Sequence, residues 1–250
     1  MKIRNSKYII CHHYNHLIIR CFNGKERYYR HPYIYLDKHE LSNNKLKMIE
    51  RAARLCYKSE KKIDEKSYHN FINELIVKGH ESIIEHEKAT VFIVTDRGVT
   101  HEIVRHRIAS YSQESTRYCN YNTEQFGNEI TVIHPLFYCP DSEQYRIWEE
   151  SCLMSEMAYI KLIVDGKPQE ARSVLPNSLK TEIAVTFNFR EWRHFFNLRC
   201  SKFAHPQMQQ IAIPLLLFFK KALPSIFSDI EYNIEFPLKH YANVESCNLL

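Results

Sequence analysis

The sequence contains very little glycine: five residues in a chain of 250, no two of them close together. Neither G-x-G-x-x-G nor G-x-x-x-x-G-K can be written anywhere in the chain. This argues against the glycine-rich loop of a Rossmann dinucleotide site and against a P-loop. A nucleotide bound by this protein would have to be held by side chains and helix ends instead.

Common metal and disulfide patterns are missing as well. The eight cysteines are scattered, without a C-x-x-C pair, and no H-E-x-x-H motif occurs. The histidines of "GHESIIEH" (79–86) and the Cys/His group of residues 11–21 match no common zinc spacing. We therefore predict reduced thiols, no disulfide framework and no metal site.

Long apolar runs are also absent. No stretch reaches membrane-spanning length, and the N-terminus lacks the apolar core of a signal peptide. These features predict a cytoplasmic protein that does not contact a membrane. Apolar residues make up 44% and charged residues 25% of the chain, as in ordinary folded proteins, and a net charge of +5 does not by itself imply nucleic acid.

Hydrophobic periodicity predicts an α/β (α+β) fold in one domain over residues 1–250. β-Branched runs predict two buried strands, at 89–96 and 181–189. The polar residues 108–122 are expected to form an extended loop. Helical spacing and end signals predict helices from Asn44, at 65–78 before Gly79, at 99–107, after Pro140, at 190–199 and at 205–223, the last kinked or divided at Pro214.

Residues 105–118 form a basic, hydroxyl-rich segment, "RHRIASYSQESTRY". Arginine forks suit phosphates, and in an extended chain Ser115 and Arg117 share a face, so the segment can line a phosphate-sized pocket. A solvated charged turn is an equally simple interpretation. A third is a nucleic-acid-binding module, in which tyrosines of this segment stack on bases.

A second group of arginines lies in the C-terminal half. Arg172 stands in "ARSVLP" (171–176), Arg190 follows a predicted strand, and Arg199 closes the apolar segment "FFNLR". Taken alone, pairing with core carboxylates is the simpler interpretation of Arg172 and Arg199. Segment 105–118 and this second group of arginines occur together in one chain, in this order. That favours a ligand-binding site over separate ion pairs.

Together these segments resemble the flavin-dependent thymidylate synthase family. The residues from Arg105 to Arg117 meet every fixed position of its signature, R-H-R, two residues, Ser, four residues, Ser, one residue, Arg. Five further segments are similar in the same order: "AARLCYKS", "GHESIIEH", "ARSVLP", "NFREWRHFFNLR" and "AHPQMQ". The resemblance covers about residues 45–215. It leaves residues 1–43, whose role is uncertain, and the C-terminal tail outside; an extra edge strand is our hypothesis for residues 1–43.

The resemblance implies reductive methylation of dUMP to dTMP. Methylenetetrahydrofolate would supply the carbon, and FAD reduced by NADPH the hydride. The implied fold is a central mixed sheet flanked by helices, assembled as a homotetramer with active sites between subunits. No nucleic acid and no thiolate nucleophile are expected, so Cys200 is interpreted as structural.

Residue roles carry over from the family by position. Arg199 would face the uracil carbonyls and stabilise the developing enolate. Ser115, as a ligand-binding hydroxyl, and His80 complete the implied catalytic set. The implied flavin contacts are Arg105, His106, Arg107, His80, Ser82, Glu85, Asn188, Arg190, His194 and His205. The implied substrate contacts are Glu102, Gln113, Glu114, Ser115, Thr116, Arg117, Arg172 and Arg199.

The chain departs from the family pattern at two places near the nucleotide. Many members have Asn-Glu where this chain has Ser112-Gln113, and Gln where it has Glu102. A carboxylate and an amide are thus exchanged. If the two positions face one another, the net charge there is unchanged.

Overall fold

The computed structural model describes residues 17–22 and 25–249. The strands are β1 (Leu17–Phe22), β2 (Lys25–Arg30), β3 (Tyr33–Asp37), β4 (Lys88–Asp96), β5 (Ala109–Gln113), β6 (Val132–Ile133), β7 (Lys180–Asn188) and β8 (Asn243–Cys247). The helices are α1 (Asn43–Leu55), α2 (Ser67–Val77), α3 (Arg97–Ile103), α4 (Glu143–Asp165), α5 (Pro168–Ala171), α6 (Phe189–Arg199), α7 (Pro206–Ala222) and α8 (Pro224–Phe227).

A five-stranded mixed sheet in the order β5-β7-β4-β3-β8 forms the centre of the fold. Its middle pair, β4 and β7, runs antiparallel over nine residues, from Lys88↔Asn188 to Asp96↔Lys180. Both β4 and β7 are rich in β-branched residues, and alternate residues of β7 are buried, as expected for a pleated strand. The α/β prediction and the two predicted strands are confirmed.

An aromatic core fixes α6 against the sheet. Trp192 donates from Nε1 to the carbonyl of Ala89 in β4 at 3.1 Å and packs against Phe187, Phe196 and Phe219. Each of these rings is fully buried, and such burial stabilises a fold by about 1.5–3 kcal/mol per large apolar side chain. This packing makes α6 a rigid support for the polar side chains on its other face.

The predicted loop at 108–122 is partly wrong, because residues 109–113 form β5. Helix α3 ends at Ile103 instead of continuing to residue 107, and Ile108 has a left-handed φ of 68° that turns the chain into the strand. Strand β5 pairs only with β7 among the described residues and leaves alternate residues exposed. Its polar composition therefore suits an edge strand.

The described part of segment 1–43 divides between two sheets, and the hypothesis of an extra edge strand stays a prediction. Strands β1 and β2 form a separate three-stranded sheet with β6. Strand β3 does join the central sheet, but between β4 and β8 and not at its edge. Residues 1–16 lie outside the described residues.

The remaining helix predictions hold to within a few residues. Gly79 follows α2 with φ +77°, the left-handed conformation that glycine adopts most readily after a helix. Helix α7 continues through Pro214, so its predicted division in two is wrong. Among the helices that the structure describes, none is long and apolar enough to cross a membrane.

Candidate active site

Arg199, in the last turn of α6, is bonded on both sides of its guanidinium group. Its Nη1 donates to Glu102 Oε2 at 2.8 Å, and its Nη2 donates to the Glu102 carbonyl at 3.2 Å. On the other side, Nε donates to His106 Nε2 at 3.0 Å. The end of α3 and the turn after it therefore hold the arginine in one orientation.

His106 is buried beneath this arginine, at 5% exposure, against the rings of Phe187 and Phe195. Burial, followed by the positive charges of Arg199 and His194, lowers the pKa of His106 to about 4. The imidazole is therefore neutral at pH 7. Its Nδ1 lies 3.4 Å from Glu191 Oε1. We call Arg199, Glu102, His106 and Glu191 the Arg199 cluster.

An open pocket of about 440 Å³ lies next to this cluster. Four residues with implied flavin contacts line it: Glu85, Asn188, Arg190 and His194. Asn188 also caps α6, since its side chain accepts a hydrogen bond from the Glu191 backbone N–H at 2.8 Å. Arg190 is paired with Glu85. The structure thus brings residues of two distant segments to one cavity.

The other residues with implied flavin contacts do not line this pocket. His80 and Ser82 are exposed at the start of the 3-10 turn Glu81–His86, and Arg105 and Arg107 are exposed after α3. His205 precedes α7 and packs against Phe137, with the ring centroids 5.4 Å apart. His205 is therefore not a member of the Arg199 cluster.

Gln113 and Glu114 are fixed by other side chains of the chain. Gln113 Nε2 donates to the hydroxyls of Thr100 and Thr181, at 2.9 and 3.1 Å. Glu114 accepts from the Tyr121 hydroxyl at 2.8 Å and from Lys180 Nζ at 2.7 Å. Because Glu102 bonds to Arg199 instead, Glu102 and Gln113 have different partners and do not form a facing pair.

The segment after β5 turns instead of remaining extended. Residues 116–118 form a turn, so the prediction that Ser115 and Arg117 share a strand face is wrong. The Arg117 backbone N–H donates to Ser115 Oγ at 3.3 Å, and the Arg117 guanidinium lies over the Tyr118 ring. Thr116 is buried. Ser115 and Arg117 are close together, but through the turn.

Four arginines with implied ligand contacts form no ion pair with any residue that the structure describes. All four are exposed: Arg105, Arg107, Arg117 and Arg172. Arg199 pairs with Glu102, whose side chain is 35% exposed and not in the core, and Arg172 pairs with no described carboxylate, so pairing with core carboxylates is wrong for both. The free guanidinium groups are chemically suited to phosphate and carboxylate ligands.

Sequence reasoning missed Glu191 and Glu81, both of which line the pocket. Glu191 stands three residues after Asn188, a spacing that predicts a helix cap and not a site residue. Glu81 contacts Arg190 at 4.0 Å and Arg193 at 3.0 Å. Burial raises the pKa of the Cys200 thiol, which agrees with the structural interpretation of that residue.

The family model described as thymidylate synthase complementing protein matches residues 39–225. Curated relatives named flavin-dependent thymidylate synthase cover most of the chain. The protein of Geobacter sulfurreducens is 37% identical over 186 residues, which are 71% of this chain and 78% of the relative. Those of Mycolicibacterium vanbaalenii and Corynebacterium diphtheriae are 34% and 32% identical over 203 and 206 residues, 74% and 75% of this chain and 79% of each relative.

These matches and the mixed central sheet define the class of the protein, an enzyme with a mixed α/β fold. The chain belongs to the family of flavin-dependent thymidylate synthases. The resemblance recognised in the sequence is thereby confirmed.

Proposed function

We propose that this protein converts dUMP to dTMP by reductive methylation, with methylenetetrahydrofolate as the carbon donor and NADPH-reduced FAD as the hydride source. The observation that carries this proposal is the fixed orientation of Arg199 beside a pocket lined by residues with implied flavin contacts. The proposal includes one domain over residues 1–250 and a cytoplasmic location. When bound, the reduced flavin supplies the hydride.

The residues around the pocket fit a dinucleotide cofactor. Its diphosphate requires several cationic donors, and Arg105 and Arg107 are exposed without ion pairs to the described residues. Asn188 and Arg190, at the beginning of α6, and His194, in its middle, add polar groups. Side chains and a helix start therefore replace the missing glycine-rich loop.

Arg199 has the properties required of an electrostatic catalyst. Its guanidinium group is preoriented by Glu102 and His106, so no reorganisation is needed when negative charge develops on a uracil carbonyl. Its side chain is 21% exposed, so a ligand can reach it. Ser115, Arg117 and Arg172 would hold the nucleotide phosphate, and the fixed side chains of Gln113 and Glu114 would orient the base.

A homotetramer with active sites between subunits explains why the four unpaired arginines are exposed at the surface of one chain. In such an assembly, these arginines would hold the phosphates of dUMP and FAD. The nucleic-acid-binding alternative uses the same exposed arginines, but the family relationship does not support it.

The test is anaerobic turnover of the purified protein with FAD, NADPH, methylenetetrahydrofolate and dUMP, with dTMP as the product measured. We expect product that requires both the flavin and the folate. Bound flavin without product would overturn the proposed substrates. A colourless protein that binds nucleic acid in a salt-dependent manner would favour the alternative.

A further inference from the structure

Glu191 is part of a chain of three side chains that ends at Arg199. Arg199 Nε lies 3.0 Å from His106 Nε2, and His106 Nδ1 lies 3.4 Å from Glu191 Oε1. His106 Nδ1 and Glu191 Oε1 are both buried, and neither forms a hydrogen bond with any described residue, so their 3.4 Å approach brings together two polar atoms that otherwise lack a partner. The imidazole therefore connects the carboxylate on one side to the guanidinium on the other.

The direction of these contacts assigns the proton of His106. An arginine N–H is always a donor, so Nε2 of His106 accepts from Arg199. A neutral imidazole carries one proton, which must then be on Nδ1 and face Glu191. A carboxylate oxygen is the acceptor that this tautomer requires.

We propose that Glu191 is a positioning residue, which fixes the Nδ1–H tautomer of His106 and thereby the hydrogen bond that orients Arg199. With the opposite tautomer, the imidazole N–H would point at the Arg199 Nε–H. Two donors would then face each other, and the guanidinium group would be displaced from its orientation. This inference rests on the catalytic role proposed for Arg199.

His106 and Glu191, together with His194, also resemble a metal site. His106, Glu191 and His194 each offer one ligand atom, all within 4.8 Å of one another. However, a metal on His106 Nδ1 would require this nitrogen to be deprotonated while Nε2 accepts from Arg199. A histidine that binds a metal normally donates a hydrogen bond from its other ring nitrogen. Here that nitrogen, Nε2, accepts from Arg199. The geometry therefore favours the Arg199–His106–Glu191 arrangement over a metal.

The kinetic test compares two substitutions at one position. Because leucine offers no acceptor, we expect Glu191→Leu to lower kcat by about 10- to 100-fold with little change in the KM for dUMP. Glu191→Gln keeps an acceptor oxygen and should recover most of that loss. Glu74→Leu, at an exposed glutamate of α2, is the matched control and should behave like the wild type. Equal losses in the Leu and Gln variants would overturn the proposal.

A double-mutant cycle separates positioning from a general structural effect. His106→Gln places a carbonyl oxygen near the former Nε2 position, which accepts from Arg199 without depending on a tautomer. In this background, Glu191→Leu should lower kcat no further. Additive losses would contradict a role that acts through His106.

The tautomer itself is measured by ¹⁵N NMR of histidine-labelled protein, with His106 assigned by its loss in His106→Gln. We expect Nδ1–H in the wild type and a shift towards Nε2–H in Glu191→Leu. Since this experiment needs no substrate, it stands even if no dTMP is formed. An Nε2–H wild type, or one stoichiometric metal ion lost in Glu191→Leu, would overturn the inference.

Discussion

Arg193 and Arg199 lie on the same helix and both bond to carboxylates, but their surroundings differ. Arg193 donates from Nη1 and Nη2 to the two oxygens of Asp229, at 2.6 and 2.7 Å, and from Nε to Glu81 at 3.0 Å. It also donates to the carbonyl of Ile226. Two carboxylates therefore surround one guanidinium group that is almost completely buried.

Arg199 has one carboxylate, from Glu102, and a neutral imidazole where Arg193 has a second carboxylate. Its side chain is 21% exposed, against 7% for Arg193. A neutral partner orients a guanidinium without cancelling its charge. The comparison indicates that Arg193 stabilises the fold, whereas Arg199 remains able to stabilise a new negative charge.

The largest expected effect on stability is that of Arg193→Met. Arg193 is buried, but Asp229 is 53% exposed and water can solvate its carboxylate after the substitution. We therefore expect a loss of about 2–3 kcal/mol in the free energy of unfolding, the scale of hydrogen bonds to charged groups. Urea unfolding measures this loss. Arg146→Met, at an exposed pair with Glu150, is the control and should cost less than about 1 kcal/mol. Equal losses in the two variants would contradict a structural role for Arg193.

Arg199→Ala should lower turnover strongly and lower stability less than Arg193→Met does. We expect turnover to fall by about 10²- to 10³-fold, as for the loss of one preorganised donor, while flavin absorbance is retained. The loss in unfolding free energy should be smaller than that of Arg193→Met, because Arg199 is more exposed. Full turnover by this variant would remove Arg199 from the mechanism.

The neutral His106 predicts a pH dependence of stability. Its pKa is about 4 in the folded protein, against an ordinary value of 6.5, so the unfolded chain binds a proton that the folded protein does not between these values. Stability should therefore fall as the pH drops from 6.5 to 4, by up to about 3 kcal/mol.

The measurement is urea unfolding of the wild type and His106→Gln at pH 7 and at pH 5. Only the difference between the two proteins reports on His106, because other groups also titrate. The variant should lose less stability on acidification. Parallel losses would show that His106 is not held neutral.

Glu81→Gln should have the smallest effect. Arg193 keeps both oxygens of Asp229, so the loss should be about 1 kcal/mol. Asp229→Asn is the informative partner variant and should cost more, since it weakens two hydrogen bonds at once. The reverse order would mean that Glu81, and not Asp229, is the main partner of Arg193.

Local patterns were sufficient for much of the fold. The period of α6 and the β-branched run of β7 predicted these elements to within one residue, because their apolar residues follow the repeat of one structure. Strand β5 was missed because its outward-facing serines interrupt any apolar pattern. The conformation of Ile108, which starts the strand, has no signature in the sequence.

Site residues that belong to a recognisable motif could be predicted from the sequence, and the other site residues could not. The segment around His106 and the end of α6 contain recognisable motifs, and the structure brings them together at Arg199. The partners of Arg193 lie 112 and 36 positions away, at Glu81 and Asp229, and no local pattern connects them. The orientation of Glu191 towards His106 likewise depends on how α6 packs against the turn after α3.

The parallel pairing of β3 with β8 has a consequence for how the chain matures. The two strands come from opposite ends of the described sequence and pair from Tyr33↔Asn243 to Asp37↔Cys247. During synthesis, β3 emerges before β8, so one edge of β3 stays open until Asn243–Cys247 has left the ribosome. An unpaired edge invites association with other chains. Strand β8 thus protects the nascent sheet from aggregation by covering this edge of β3.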